Sequence, residues 1–157
     1  SPKKEPEHSV GFFLWCVCYN NLMSDIRKAA GIIIRDKKLL VERSEGKDFF
    51  IAPGGSIEEG ETPKQALVRE LMEEFQIVVS ENNLIEFGAF QAPAAGQEHR
   101  MVKMEVFVVK SWEGEPTPDN EVEEIRWITS APEQGIKIGS IFEHEVIPRL
   151  KTAHLID

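Results

Sequence analysis

The 157-residue sequence contains only two cysteines, and both lie near its start, at Cys16 and Cys18. A bridge across one intervening residue is an unlikely structural disulfide, and two cysteines without a nearby second pair make a poor zinc site. We therefore expect two apolar cysteines in a reducing compartment, which favours a cytoplasmic protein.

The sequence also lacks an apolar segment long enough to cross a membrane. The run from Val10 to Tyr19 has about half the length that a transmembrane helix needs. The mixed charges before it and the two asparagines after it do not fit a signal peptide. We expect no membrane partner. Residues 1–22 are predicted to be an N-terminal appendage to a domain over residues 23–157. In this appendage, residues 10–19 would form an extra strand or a contact with a partner chain, such as a second copy in a homodimer.

Positive charge is scarce, since 18 lysines and arginines face 27 acidic residues and leave a net charge of −9. A protein that coats DNA or RNA would show a basic face, so we expect no nucleic acid polymer as a partner. A small anionic ligand is still compatible with this charge, because a bound metal can supply local positive charge. The length and the 41% hydrophobic content fit one soluble globular domain.

A strong helix signal follows a glycine-rich turn in the middle of the sequence. Thr62 is placed to cap the helix, Pro63 fits its first position, and Gln65 falls where a capping-box partner belongs. Leu67, Leu71 and Phe75 recur every four residues. They predict an apolar face that packs on a sheet.

Three glutamates, Glu70, Glu73 and Glu74, share the opposite face of this predicted helix. Like charges at that spacing destabilise a helix by roughly 0.2–0.5 kcal/mol per pair. Hard divalent cations such as Mg²⁺ prefer oxygen ligands, and a bound cation would turn the repulsion into coordination. The helix therefore predicts a metal site.

Short apolar segments rich in β-branched residues surround the helix and predict a sheet. The predicted strands cover residues 28–35, 39–43, 48–52, 84–91, 101–109 and 121–128, with the first two paired as a hairpin. We expect a flexible loop over residues 92–99, and a helix over residues 139–150 that Pro148 interrupts. This order predicts an α/β fold in which helices sandwich a mixed sheet, an α/β/α layering.

The glycine-rich turn and acidic helix resemble the signature of the Nudix family, G-x5-E-x7-R-E-U-x-E-E-x-G-U, where U is a bulky aliphatic residue. The matching positions are Gly55, Glu61, Arg69, Glu70, Leu71, Glu73, Glu74 and Ile77. Gln76 stands where the family has glycine. A residue other than glycine in the left-handed conformation that caps the helix there costs roughly 1–2 kcal/mol. The position itself carries no chemistry. The resemblance implies the family's α/β/α sandwich over roughly residues 25–150.

The resemblance also implies an activity, the hydrolysis of a nucleoside diphosphate linked to another group. Arg69 would be held by a glutamate of the signature and would orient it, and Glu61 would lie near the metal. The general base would be Glu73 or Glu74, or Glu98 from the loop outside the signature, which fits a solvated loop residue equally well. The implied ligands of Mg²⁺ or Mn²⁺ are Glu70, Glu73, Glu74 and the carbonyl of Gly54.

Two sequence patterns favour different substrates. The short chain resembles MutT-type enzymes, which convert oxidised purine nucleoside triphosphates to monophosphates, although the last helix offers His144 and no asparagine to read the base. Pro93, about sixteen residues beyond the signature, resembles the ADP-ribose pyrophosphatase branch. Phe50 could stack on a base, although aromatic residues in strands are more often part of the core. Arg43 could pair with phosphates or be an ordinary surface charge.

Two other functions on the same scaffold are alternatives to hydrolysis. A catalytically silent domain that binds a nucleotide as a sensor would have lost signature carboxylates, and none of the four is lost here. An isomerase would want clustered histidines and a pocket cysteine, whereas the four histidines are scattered. We therefore predict a Mg²⁺-dependent pyrophosphohydrolase.

Overall fold

The computed structural model describes residues 25–157. The predictions for the appendage over residues 1–22, and for a strand or partner contact over residues 10–19, lie outside the described residues. Within residues 25–157, no helix is both long and apolar enough to span a membrane.

A mixed four-stranded sheet carries the helix and the predicted site. Its order is β4-β1-β6-β5, with β1 parallel to β6 and the other neighbours antiparallel. A second, antiparallel sheet has the order β2-β3-β7. The strands are β1 (Ile26–Ile32), β2 (Ile34–Arg35), β3 (Lys38–Ser44), β4 (Gly54–Ser56), β5 (Leu84–Ala94), β6 (Gln97–Val109) and β7 (Val122–Ile128).

The predicted hairpin of residues 28–35 with residues 39–43 is only partly right, because the chain changes sheets at Ile33. Only β2 pairs with β3, whereas β1 belongs to the other sheet. Ile32 and Ile33 are both fully buried, but they enter two different hydrophobic clusters. Burial on both sides makes the segment continuously apolar, and this hides the switch from the sequence pattern.

Two further segments differ from their predictions. Residues 48–52 form isolated bridges, from Ile51 to Glu42 and from Phe50 to Ile138, and no continuous strand. Residues 92–99 extend β5 and β6, so the predicted flexible loop shrinks to a tight turn at Gly96, whose φ is 76°. The left-handed conformation of this turn requires a glycine only at Gly96. Other small residues of the segment can therefore lie within paired strands.

The central helix α1 (Pro63–Phe75) has the predicted ends. Thr62 Oγ1 accepts a hydrogen bond from the Gln65 N–H at 3.1 Å, and Gln65 Oε1 accepts one from the Thr62 N–H at 3.0 Å. This reciprocal pair is a capping box. At the other end Gln76 adopts the left-handed conformation, with φ 57°, as expected for the residue that replaces the signature glycine.

Helices cover the sheets on both sides. The buried face of α1 packs in a cluster with Ile33, Leu40 and Phe107. The other cluster holds Val41 together with Val146 and Leu150 of the C-terminal helical segment, which comprises a π-helical turn (Phe142–Val146) and α2 (Ile147–Thr152). The predicted α/β/α sandwich with a mixed sheet is confirmed.

Candidate active site

Two glycines let β4 lie between β1 and helix α1. Gly54 has φ 146°, and a Cβ there would lie 2.1 Å from the carbonyl oxygen of Ala29. A Cβ on Gly55 would lie 2.4 Å from the carboxyl carbon of Glu70. Since real side chains do not approach this closely, Gly54 is required for β4 to lie against β1, and Gly55 is required for the Glu70 carboxylate to lie directly on the β4 backbone.

Arg69 donates a set of hydrogen bonds to the loop before α1 and to the acidic face of α1, and we call this set the Arg69 hub. Its guanidinium binds Glu61 through two bonds, of 2.6 and 3.0 Å, and reaches the carbonyl of Ser56 at 3.1 Å. It also donates to Glu70 at 2.9 Å and to Glu73 at 3.3 Å. This arrangement ties the loop before α1 to the helix and fixes the orientation of Glu70.

The same contacts shift two pKa values in opposite directions. Hydrogen bonds from Arg69 lower the pKa of Glu61 to about 2, and the bonded Glu61 raises the pKa of the guanidinium. Glu61 is therefore ionised and occupied by Arg69. The structure assigns it to holding the arginine rather than to contacting a metal.

Glu74 lies in the opposite electrostatic situation. Its Oε2 atom is buried and has no hydrogen-bond partner among the described residues. Burial raises the pKa of Glu74 to about 8, and repulsion from Glu70, Glu42 and Glu121 adds to the shift. A buried oxygen without a hydrogen-bond donor destabilises the fold. The Glu74 carboxylate also lies among further carboxylates and has no paired positive charge within residues 25–157.

Two of these neighbouring carboxylates were missed in the sequence. Glu42 of β3 is only 1% exposed, accepts a hydrogen bond from Ser44 Oγ at 3.3 Å, and has its pKa raised by burial to about 7. Its position directly after the apolar segment Leu39–Val41, within the same predicted strand, was a signal that could have found it. Glu121 precedes β7, and nothing in the sequence separates it from Glu123 and Glu124.

The donor set fits a hard divalent cation. Within residues 25–157, no group of three or more acidic, histidine or cysteine side chains is arranged so that it could hold a metal ion as it stands. The fit instead follows from the unpartnered Glu74 oxygen, from the Glu70 carboxylate pressed against Gly55, and from the raised pKa of both acids. Oxygen-only ligands of this kind suit Mg²⁺ or Mn²⁺.

A cavity of about 690 Å³ opens beside these carboxylates. Gly54, Gly55 and Glu121 line it at the acidic end. The rest of its wall is largely apolar and comes from β1, β5, β6, residues 44–52 and residues 139–142. Pro93, which the sequence proposed as a substrate contact, is part of this wall.

Of the predicted site residues, Gly54 and Pro93 line the cavity, whereas Arg43, Phe50 and Glu98, like Arg69 and the three glutamates of α1, do not. Arg43 donates to Glu123 at 2.6 Å and to Glu124 at 3.0 Å. Phe50 is 6% exposed, and Arg43 and Arg126 lie over its ring, 5.9 and 5.5 Å from the centroid. These contacts tie β3 to β7 and give both residues structural partners, while their contacts with a substrate stay predictions.

Glu98 also lies outside the cavity. It is exposed at the β5–β6 turn and accepts a hydrogen bond from the Gly96 N–H at 3.2 Å. Its neighbour Gln97 lines the cavity instead, because successive side chains of a strand point to opposite faces. Glu45 and Glu121 are the carboxylates outside the signature that line the cavity, and of these Glu121 acts on Glu74.

Comparison with known proteins decides the family. The family model of the NUDIX domain matches residues 25–147. The chain belongs to the Nudix family. The site just described is therefore that of a Nudix hydrolase, and the matched region contains the glycine pair, the Arg69 hub and the acidic face of α1.

Relatives of this Nudix hydrolase include enzymes with different substrates. An 8-oxo-dGTP diphosphatase of Haemophilus influenzae is 40% identical over 96 residues, which cover 58% of this chain and 67% of the relative. An ADP-ribose pyrophosphatase of Methanocaldococcus jannaschii is 32% identical over 88 residues, covering 54% and 50%. The crystal structure of a MutT NUDIX hydrolase from Burkholderia pseudomallei covers 81% of this chain and 98% of its own, with a TM-score of 0.70. At 16% identity it shows the shared fold.

Proposed function

We propose that this protein is a divalent-metal-dependent pyrophosphohydrolase that cleaves a nucleoside triphosphate to a monophosphate and pyrophosphate. The observation that carries the proposal is the buried, unpartnered Glu74 oxygen among carboxylates next to a cavity. Glu70 lies against Gly55 and Glu121 repels Glu74, and both Gly55 and Glu121 line that cavity. A nucleoside in the cavity would thus place its phosphates at the acidic end.

Nudix hydrolases use divalent metal ions, and Mg²⁺, with Mn²⁺ as a substitute, is the metal that we propose here. Glu70, Glu73, Glu74 and the carbonyl of Gly54 would hold it. When bound, the metal would neutralise charge on the phosphate oxygens and lower the pKa of the attacking water.

The protein's own groups then have separate roles. Arg69 holds Glu70 in place through their 2.9 Å hydrogen bond. Glu73 is half exposed and also bonded to Arg69, at 3.3 Å, whereas Glu74 retains a free oxygen. We therefore place the proton acceptor on Glu74, with Glu121 as the alternative from the cavity wall.

The nucleoside portion is expected to lie in the apolar part of the cavity. A volume of about 690 Å³ is within the usual range for small-molecule sites. The 8-oxo-dGTP diphosphatase relative favours an oxidised purine triphosphate of the MutT type. The place of Pro93 in the cavity wall and the ADP-ribose pyrophosphatase relative favour ADP-ribose as the second candidate.

A substrate panel tests this proposal. The purified protein is incubated with Mg²⁺ and with nucleoside triphosphates including 8-oxo-dGTP, with ADP-ribose and with sugar nucleotides, and products are separated by chromatography. We expect a monophosphate and pyrophosphate from a triphosphate. ADP-ribose as the best substrate would instead yield AMP and ribose 5-phosphate. Binding without turnover of any compound would favour a catalytically silent nucleotide sensor.

The pH dependence of metal binding follows from the buried acids. The pKa values of Glu74 and Glu42 are raised from 4.5 to about 8 and about 7. The protonated forms favour the fold, so their contribution is fully present below pH 4.5 and is lost as the pH rises through 7 and 8. The metal needs the ionised form of Glu74, so Mg²⁺ binding should tighten by up to about tenfold per pH unit below pH 8.

Thermal denaturation between pH 5 and pH 9, with a chelator and with Mg²⁺, measures both effects. We expect the melting temperature of the metal-free protein to fall with rising pH, and the stabilisation by Mg²⁺ to grow. The Glu74→Gln variant is the control, since it should show a smaller dependence on pH. A Mg²⁺ affinity that is constant from pH 6 to pH 8 would contradict the assignment of Glu74.

A further inference from the structure

A lysine lies on the floor of the cavity where the acidic end meets the apolar part. Lys28 is on β1, directly opposite Ser56 of β4 and Met104 of β6. It lines the cavity together with Ile26 and Met104, and it is half-buried. Because Ser56 directly follows Gly54 and Gly55, Lys28 stands beside the strand that supports the Glu70 carboxylate.

The ammonium group of Lys28 has no partner at contact distance within residues 25–157. Three other lysines of this region do have one: Lys37 pairs with Asp157 at 3.3 Å, Lys103 with Asp25 at 2.7 Å, and Lys137 with Asp48 at 2.8 Å. Holding a lysine side chain between apolar residues costs rotamer entropy and hydration. An ion pair that formed only with a bound ligand would offset that cost.

The charges near Lys28 indicate the sign and the place of such a ligand. Its positive charge partly offsets the rise in the pKa of Glu42 and Glu74, so it lies near the acidic cluster without closing an ion pair. A substrate that extends from the metal into the cavity passes this point. Its phosphate chain is the anionic part nearest to the metal.

We propose that Lys28 binds the phosphate chain of the substrate on the cavity side of the metal centre. The choice of a nucleotide as the natural ligand rests on the proposed function. The proposal gives the acidic site a protein cation for the phosphates, because Arg69 is already occupied by three glutamates and a backbone carbonyl. The flexible ammonium can follow a phosphate oxygen as a point charge.

Binding of inorganic tripolyphosphate with Mg²⁺, measured by calorimetry, tests Lys28 without a base or a sugar. The Lys28→Met variant keeps an unbranched chain next to Met104 and removes the charge. We expect it to weaken tripolyphosphate binding by about 10- to 100-fold, as for one charged hydrogen bond. Lys28→Arg should recover most of the affinity. Lys38→Met makes the same change on the exposed start of β3 and should bind as the wild type does.

Each outcome decides the proposal. Equal tripolyphosphate affinity in Lys28→Met and the wild type overturns it, as does a wild type that does not bind tripolyphosphate. A variant that loses affinity for a nucleotide but not for tripolyphosphate would show that Lys28 contacts the base or the sugar, and this also overturns the proposal. If the wild type binds tripolyphosphate through Lys28 but hydrolyses no nucleotide, the proposed function fails and the role of Lys28 stands. Circular dichroism confirms that each variant is folded.

Discussion

Replacing Glu74 by glutamine should lower the rate of hydrolysis by at least about a thousandfold while the protein stays folded. Glutamine keeps the shape of the side chain but can neither ionise nor hold a divalent cation as a carboxylate does. The loss is large because both proposed roles of Glu74, holding the metal and accepting the proton, need the ionised form. Its free oxygen and its position among Glu70, Glu42 and Glu121 are the structural reason.

The same substitution should leave the metal-free protein at least as stable as the wild type near pH 8. Removing a buried negative charge relieves its repulsion from neighbouring carboxylates, so the melting temperature should be unchanged or higher. Glu86→Gln on β5 is the matched control, since this glutamate is exposed and outside the cavity. Steady-state kinetics and thermal melts are compared for both variants. A Glu74→Gln rate within tenfold of the wild type would remove Glu74 from the mechanism.

The parts of the site that the sequence predicted correctly depend on local geometry. The capping box at Thr62 and Gln65 and the left-handed cap at Gln76 involve residues a few positions apart. The acidic face of α1 follows in the same way from helical spacing. A pattern read along the chain contains all the information that such features require.

The parts that it missed depend on which strands become neighbours. Glu42 and Glu121 reach Glu74 only because β3 pairs with β7 in the second sheet. The partners of Arg43 on β7, Glu123 and Glu124, are about 80 residues away in the sequence. They could not be foreseen, and Arg43 was therefore predicted to bind phosphate. Long-range register, which no local pattern fixes, decides these roles.

The surroundings of Glu98 differ from the predicted loop for a related reason. Once residues 92–99 are taken as a loop, the direction of each side chain is undetermined. When β5 and β6 instead continue to a tight turn, strand alternation sends Gln97 into the cavity wall and Glu98 to solvent. Which carboxylate outside the signature could act as a general base therefore depends on where the β5–β6 hairpin turns.

Replacing Arg69 by alanine should damage both activity and stability, in contrast to Glu74→Gln. The change removes the two bonds to Glu61 and the bond that orients Glu70, so we expect hydrolysis to fall by at least about a hundredfold. Glu70 is half-buried and would lose its counter-charge, which should lower the free energy of unfolding by about 1–3 kcal/mol. Lysine at this position keeps the charge but lacks the planar fork, so Arg69→Lys should be intermediate.

The stability lost in Arg69→Ala should itself depend on pH. The pKa of Glu61 is lowered to about 2 by Arg69, so the stabilisation from Glu61 is present above pH 4.5 and is lost as the pH falls towards 2. Denaturant unfolding should show a wild-type advantage that is largest near neutral pH and shrinks in acid. Arg149→Ala is the control, because it breaks an exposed pair with Glu145 and a surface contact with the Phe90 ring, and touches no residue of the site. A loss for Arg69→Ala that is no greater than for Arg149→Ala, or equal at pH 3 and pH 7, would show that the Arg69 hub does not hold the loop to the helix.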